Sequence, residues 1–269
     1  MAARWLLLCH CHISLDMAVA VPAGILTPNT TTPSTSTSGT TQNKIMLLPP
    51  CAMQTTPQTC LSKDDSVLIF DVATNATTPR CNARPDDLNA GPRLVSVAWA
   101  FYSATGKKLS CEKFIIQPRD FTIPEESIRF HGVTMARALK RGIPVRLVLR
   151  RFANEILNSQ PKLVVAHNLD PDIAVLNAEY LRQGLPLPFE GIPTFCTMER
   201  TTDLCQLPGR FGGFKWPALC ELQLFLFREP LVNCCTTNEK VRALAKIFFE
   251  LQQLPVDGPW KCIFEKKIL

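Results

Sequence analysis

The stretch that decides the fold is Ser66-Val-Leu-Ile-Phe-Asp-Val-Ala-Thr-Asn75. Residues 67–70 form an unbroken apolar run that is too short for a helix and predicts a strand buried on both faces. We expect Asp71 to lie where this strand ends. A carboxylate at the carboxyl end of a central strand lies where α/β sheets bind ligands and metals. The alternative interpretation is a turn-forming Asp that bonds its own backbone, helped by Thr74 and Asn75.

The overall composition is globular. The chain has 269 residues, of which 46% are hydrophobic and 19% charged, and its formal net charge is +6. These values allow a substantial core. The mild positive charge is compatible with a polyanionic partner and does not require one. No apolar run approaches the roughly 18 residues of a membrane-spanning helix, so we expect no membrane span.

The amino-terminal region differs from the rest of the chain. Residues 1–26 are predicted to be a signal or transit segment, and both a secretory signal and a mitochondrial presequence stay open. Residues 27–63 are rich in Thr, Ser and Pro, with too few apolar side chains to offset the entropy of ordering, which predicts a disordered linker. Most of the twelve cysteines are scattered singly, which favours reduced thiols and an intracellular location, mitochondrial or nuclear and cytoplasmic, over secretion.

Residues 64–254 alternate strand and helix patterns. Short apolar runs bounded by turn residues predict strands, and apolar stripes at helical spacing predict helices. Their order predicts one domain with a mixed five-stranded α/β sheet flanked by helices, followed by a tail of residues 255–269. The predicted strands are residues 67–70, 93–102, 109–116, 162–166 and 192–196, and the predicted helices are residues 135–141, 145–157, 173–183, 216–227 and 237–251, with a helical turn near residues 123–131.

Five short motifs follow one another in this part of the chain. They are the strand that ends in Asp71, Ile123-Pro-x-x-x-x-x-x-His131-Gly-Val-Thr134, Ala166-His-Asn-x-x-x-Asp172, Lys215-Trp-Pro-x-Leu-x-Glu-Leu222, and Ala243-x-Ala-x-x-Phe-Phe-Glu-Leu251. In this order, residues 67–251 resemble the 3′→5′ exonucleases of the DEDDh type, the proofreading-exonuclease family. The resemblance implies a ribonuclease H-like fold, with DNA or RNA as the partner.

The resemblance also implies a catalytic set, and this chain departs from it. In the family, four carboxylates hold two divalent ions, which bind the scissile phosphate and a water, and a His acts as general base. Asp71 and Asp172 match two of the acids. The positions of the Glu, the general-base His and the last Asp fall on Ala73, Cys235 and Lys240. All four histidines of the chain lie at or before residue 167, so no local realignment restores the base.

These replacements favour loss of the family's reaction. A shift of one residue would bring Glu239 to the last Asp position, but it would rotate the final helix by about 100° and break its apolar stripe. Loss of a general base alone typically costs ~10²–10⁴ in rate. We therefore predict a domain that binds nucleic acid, or a nucleoprotein assembly, with lost or much reduced 3′→5′ exonuclease activity. The alternative is an active metal-dependent exonuclease that releases nucleotides from 3′ ends.

Asp71 and Asp172 could still hold one Mg²⁺ or Mn²⁺ ion weakly, or they could be relics that face a solvent cleft. By resemblance, His131 lies in the loop that contacts the terminal nucleotide; the alternative is a loop His bonded to backbone. Lys240 could contact a phosphate directly, or it could be a solvated lysine.

The densest positive stretch begins at Arg137 and includes Lys140 and Arg141. It predicts either a polyanion-binding face or a solvated helix face. His167 and Asn168 are interpreted as structural, since they fix the turn that presents the following Asp. Trp216 is interpreted as a core residue at a helix entry, not as a base-stacking platform.

Overall fold

The computed structural model describes residues 61–76, 91–232 and 234–254. The predicted leader, almost all of the predicted linker and the predicted tail lie outside the described residues. Among the helices within these ranges, none combines the length and the apolar character that a membrane crossing needs.

A five-stranded sheet forms the centre of the domain, in the order β3-β2-β1-β4-β5. Its central strand β1 (Ser66–Thr74) pairs antiparallel with β2 (Leu94–Ser103), which pairs antiparallel with β3 (Lys108–Ile115). On the other side, β1 pairs parallel with β4 (Leu163–Ala166), which pairs parallel with β5 (Thr194–Cys196). The predicted mixed sheet and its hairpin are confirmed.

Helices cover both faces of the sheet. They are α1 (Glu125–His131), α2 (Met135–Arg141), α3 (Val145–Ser159), α4 (Leu169–Arg182), α5 (Thr197–Arg200), α6 (Thr202–Cys205), α7 (Leu219–Phe227) and α8 (Thr237–Leu251).

The two faces of β1 pack against different helices. Leu68, Phe70 and Val72 belong to the core that includes α3 and α4, where Phe152 stacks on Trp99 with ring centroids 4.3 Å apart. Val67 and Ile69 belong to the core that includes α8. Side chains alternate between the faces of a strand. Asp71, two residues after Ile69, and Ala73 after it therefore lie on the α8 face.

The end of β1 was predicted wrongly. The strand continues to Thr74, and Asp71 lies inside it, opposite Ala98 of β2. The reason is that β2 goes on pairing with β1 after β4 has ended: the parallel pairing with β4 stops at Ile69 and Val165. Asp71 thus lies just past the last rung shared with β4, where β1 keeps only one strand neighbour.

Two helix starts also differ from prediction. α4 begins at Leu169 instead of residue 173, because Pro171 falls in the first turn, where a missing N–H costs nothing. α7 begins at Leu219 instead of residue 216. There the Glu221 side chain accepts the N–H of Ala218 at 2.8 Å and fixes the start of the helix.

The segment 197–215, predicted to be a loop, contains the one-turn helices α5 and α6. A single turn is too short to show a hydrophobic period, so sequence patterns do not reveal it.

Candidate functional site

The charge of Lys240, near the start of α8, acts on four titratable side chains. Asp71 comes from β1, His131 from the end of α1, His167 from the residue after β4, and Asp172 from the first turn of α4. The positive charge of Lys240 lowers the pKa of each of the four. The structure therefore brings the sequence-predicted residues Asp71, Asp172, His131 and Lys240 close together, at a place that we call the Asp71–Lys240 cleft.

Asp71 and Lys240 form an ion pair in this group of residues. Lys240 Nζ lies 3.8 Å from Asp71 Oδ2, beyond hydrogen-bond distance. Asp71 is only 8% exposed. Burial raises its pKa to about 6, against the opposing effect of the nearby ammonium. Oδ2 is buried and makes no hydrogen bond of normal geometry with the residues that the structure describes.

Asp172 shares the same cation. Burial raises the pKa of Asp172 well above its usual value, the negative charge of Asp71 raises it further, and Lys240 opposes both. Two carboxylates that repel each other while sharing one monovalent partner favour protonation of one of them.

His131 is neutral and almost fully buried. It is 3% exposed, and burial, followed by the charge of Lys240, lowers its pKa to about 4. Its Nδ1 accepts the N–H of Val133 at 3.1 Å, so Nε2 carries the proton. Within the described ranges, Nε2 has no hydrogen-bond partner of normal geometry. The Nδ1 contact thus follows the backbone-bonded interpretation, and a further contact with the backbone of Thr74 opposes the fall in the pKa of His131.

His167 has both ring nitrogens engaged. Nε2 lies 3.0 Å from the carbonyl oxygen of Pro217, and Nδ1 lies 3.0 Å from Thr197 Oγ1. Burial lowers its pKa to about 4, so the ring is neutral; Nε2 then donates to Pro217 and Nδ1 accepts from Thr197. His167 ties the end of β4 to the start of α5 and to the segment before α7. The sequence predicted a structural role in the turn that presents Asp172, whereas the two contacts join α5 and the segment before α7. They leave the ring no free nitrogen for a base.

The positions that depart from the exonuclease pattern lie beside this cluster. Ala73 is buried on β1, and Cys235 is exposed just before the N-cap of α8. Glu239 closes a capping box: its Oε2 accepts from the backbone N–H of Thr236 at 3.0 Å and from its hydroxyl at 2.9 Å. Lys240, not Glu239, therefore faces Asp71.

A pair of divalent ions does not fit these residues. Across the described parts of the chain, no group of three or more His, Cys, Asp or Glu side chains converges as metal ligands do. A two-ion centre draws on several carboxylates. Here two acids with raised pKa values face an ammonium that already supplies a positive charge.

The basic residues Arg137, Lys140 and Arg141 lie exposed on α2. This helix starts four residues after His131, and the Thr134 hydroxyl accepts the N–H of Arg137 at 3.1 Å. Further along the positive stretch, on α3, Arg151 pairs with glutamates of β3 and α3. The charge of that later part is therefore partly neutralised.

The prediction that Trp216 is a core residue is wrong. Trp216 is 57% exposed, and two neighbouring rings are also exposed, Phe214 to 49% and Phe211 to 95%. Sequence reasoning missed these rings as candidates. The signal that could have found them is aromatic residues interleaved with Gly, Arg and Lys between residues 208 and 217.

Comparisons with known proteins agree on the fold. The sequence matches no protein-family model, and it matches no curated protein. Among solved structures, it is similar to exonuclease I with a TM-score of 0.56 and 15% identity, covering 70% of this chain and 41% of the other. E. coli exonuclease I in complex with a dT13 oligonucleotide gives a TM-score of 0.58 at 13% identity, covering 70% and 41%. The zinc-bound form of its single-stranded DNA complex gives 0.56 at 14%, covering 75% and 42%.

The chain thus spans about two fifths of the exonuclease I chains that it matches. At such low identities the similarity shows the fold. This domain has the exonuclease I type of ribonuclease H-like α/β fold.

Proposed function

We propose that this domain binds nucleic acid at the Asp71–Lys240 cleft and has lost, or largely lost, the metal-dependent 3′→5′ hydrolysis of the family that it resembles. The observation that carries the proposal is the ammonium of Lys240, which lies 3.8 Å from Asp71 Oδ2. The resemblance assigns to Asp71 the role of a metal ligand, and here a protein cation lies beside it.

Charge supports the loss of metal-dependent hydrolysis. Two unit charges 4 Å apart interact by about 4 kcal/mol at an effective dielectric constant of about 20. A divalent ion next to Asp71 would meet this repulsion from Lys240 twice over. It would also find two carboxylates where the family's reaction uses four. His167 is held by two hydrogen bonds, and Cys235 stands at the general-base position.

The same features support nucleic-acid binding. An ammonium set in a cleft can pair directly with a phosphate, and His131, whose pKa the same ammonium lowers, lies nearby. The exposed basic residues of α2 extend the positive surface from the His131 side. Solved neighbours of the same fold hold single-stranded oligonucleotides, which supports this class of partner at the level of the fold.

The test combines binding and nuclease assays on the full chain. Labelled single-stranded DNA and RNA are titrated at several salt concentrations, and the same strands are incubated with Mg²⁺ or Mn²⁺. We expect salt-sensitive binding and no trimming. Lys240→Met should weaken binding, while Lys246→Met, on the exposed side of the same helix, serves as the matched control. Metal-dependent trimming that disappears in Asp71→Ala would overturn the proposal and establish the active-exonuclease alternative.

A further inference from the structure

The segment between α6 and α7 carries an exposed aromatic surface. We call residues 207–217 the aromatic loop. Its three rings, Phe211, Phe214 and Trp216, are each about half exposed or more, and Phe211 is almost completely exposed. Large apolar side chains grouped on one short exposed segment commonly mark an interaction site.

The aromatic loop has a defined backbone. The N–H of Gly209 donates to the carbonyl of Gly213 at 2.9 Å, and the N–H of Lys215 donates to the carbonyl of Leu207 at 2.9 Å. Gly212 and Gly213 close the tip with φ angles of 89° and 69°, a conformation that glycine adopts without strain. The rings are therefore presented by a folded turn.

The loop is anchored next to the cleft. Its last residue, Pro217, has its carbonyl 3.0 Å from Nε2 of His167. His167 directly precedes the segment that starts α4 and carries Asp172. The carboxyl end of the loop is therefore held beside a residue whose pKa Lys240 lowers.

Charge in the loop favours a polyanion. Residues 207–217 include Arg210 and Lys215 and no acidic residue. The guanidinium of Arg210 lies over the Phe211 ring, 5.8 Å from its centroid. Lys215 pairs with Glu221 of α7 at 2.5 Å, with its side chain still 46% exposed. Exposed rings alternating with cations are the means by which proteins bind single strands without reading sequence, since every base has a π-face that can stack.

We propose that the aromatic loop is a base-stacking platform for single-stranded nucleic acid, in which Phe211 and Trp216 stack on successive bases while Arg210 and Lys215 face the phosphates. This inference rests on the proposed function, because it extends a strand that starts at the cleft. It adds a binding role outside the catalytic set that the exonuclease pattern assigns.

The experiment measures affinity for oligothymidylate and for a strand of equal length made of abasic sites. We expect Phe211→Ala and Trp216→Ala each to weaken oligothymidylate binding by about 5- to 150-fold, the usual range for loss of one stacked base. Binding of the abasic strand should stay unchanged. The conservative variants Phe211→Tyr and Trp216→Phe should retain most of the affinity. Leu157→Ala removes a similarly exposed apolar side chain on α3 and is the matched control.

The outcomes separate this inference from the proposed function. If wild-type protein binds both strands and the ring variants bind oligothymidylate as wild type does, the platform is refuted and the cleft proposal stands. If wild-type protein binds neither strand, both fail. If ring loss abolishes only the capture of a protein partner or of lipid vesicles, the loop is a docking element of another kind and the inference is overturned. Arg210→Ala should lower the slope of log affinity against log salt concentration by about one unit. It should leave the preference for oligothymidylate over the abasic strand unchanged.

Discussion

At the scale of single residues, Lys240 is the positive charge that acts on every shifted acid and histidine of the cleft. It affects the pKa of Asp71, Asp172, His131 and His167 together. A lysine in this place gives the two acids a permanent counter-charge, a function that metal ions perform in the family that the sequence resembles.

The first prediction removes that counter-charge. Lys240→Met keeps the aliphatic stem and deletes the ammonium, so burial of Asp71 is no longer opposed. The pKa of Asp71 should rise above its present value of about 6. Carboxyl ¹³C NMR titration measures it directly. Lys246→Met, on the outer side of the same helix, should leave the Asp71 titration where it is; an unchanged Asp71 titration in Lys240→Met would show that the ion pair is not formed in solution.

The second prediction concerns His167 and acid stability. Its pKa in the folded protein is about 4, below the ordinary 6.5. Between these values the unfolded chain takes up a proton that the folded chain does not, so this residue makes the folded state less stable as the pH falls. In His167→Gln that contribution is absent. The difference in unfolding free energy, wild type minus variant, should therefore grow by roughly 1–3 kcal/mol as pH rises from about 4 to 6.5.

Urea denaturation at the two ends of this window provides the measurement. Asp71 and Asp172 have raised pKa values, which give the opposite slope, but they occur in both proteins and cancel in the difference. A difference that does not change with pH would contradict the buried, neutral state of His167.

Residue identities predicted part of this cluster and missed part of it. Motif positions were sufficient to name Asp71, Asp172, His131 and Lys240 as candidates. Exposure was not predictable in the same way: the sequence around Trp216 looks like the entry of a helix, yet the helix starts three residues later and the ring points out. Whether an aromatic side chain is buried depends on where the neighbouring segments pass in the fold. The spacing of apolar residues along the sequence does not contain that information.

At the scale of elements, the N-terminus of α8 sets the position of Lys240. The capping box between Thr236 and Glu239 fixes where the helix begins and which of its residues face β1. The apolar stripe of α8, with Val241 and Leu244 buried against β1, fixes its rotation. The apolar stripe and the cap place the start of the helix at the same residue. The bounds predicted from the sequence, residues 237–251, are therefore confirmed.

The third prediction tests that cap. Thr236→Ala removes the side-chain oxygen that accepts the Glu239 N–H and should lower the free energy of unfolding by about 0.5–2 kcal/mol. Thr236→Ser keeps the oxygen and should cost much less. Chemical denaturation compares the three proteins. Equal losses for Ala and Ser would indicate that the threonine methyl group, not the cap, carries the effect.

Helices with a long apolar stripe were predictable from the sequence, and the one-turn helices were not. α3 and α8 each run for 15 residues and show a clear apolar stripe. The end of β1 was missed because it depends on how far β2 extends beside it, which is a property of the partner strand. The one-turn helices α5 and α6 are fixed by tertiary contacts and not by a local period.

At the scale of the whole molecule, three elements far apart in sequence meet at one cleft. β1 supplies Asp71 and Ala73, α4 supplies Asp172, and α8 with its preceding residues supplies Cys235 and Lys240. The exonuclease pattern needs a contribution from each of them. A single reversion toward that pattern should therefore restore little, because the remaining replacements keep the charge unbalanced or leave the water without a base.

The fourth prediction restores the set in two steps. Ala73→Glu with Lys240→Asp provides four carboxylates and removes the ammonium, so Mn²⁺ should bind measurably by calorimetry, and the matched pair Ala73→Gln with Lys240→Asn should not bind it. Adding Cys235→His should then produce Mg²⁺-dependent trimming of 3′ ends, since the general base is worth ~10²–10⁴ in rate. If the four-carboxylate variant folds, as judged by circular dichroism, and binds no metal, then the elements do not bring these positions to metal-binding distance. In that case the replaced residues would not by themselves account for the proposed loss of hydrolysis, and the geometry of the sheet and of α8 would account for it.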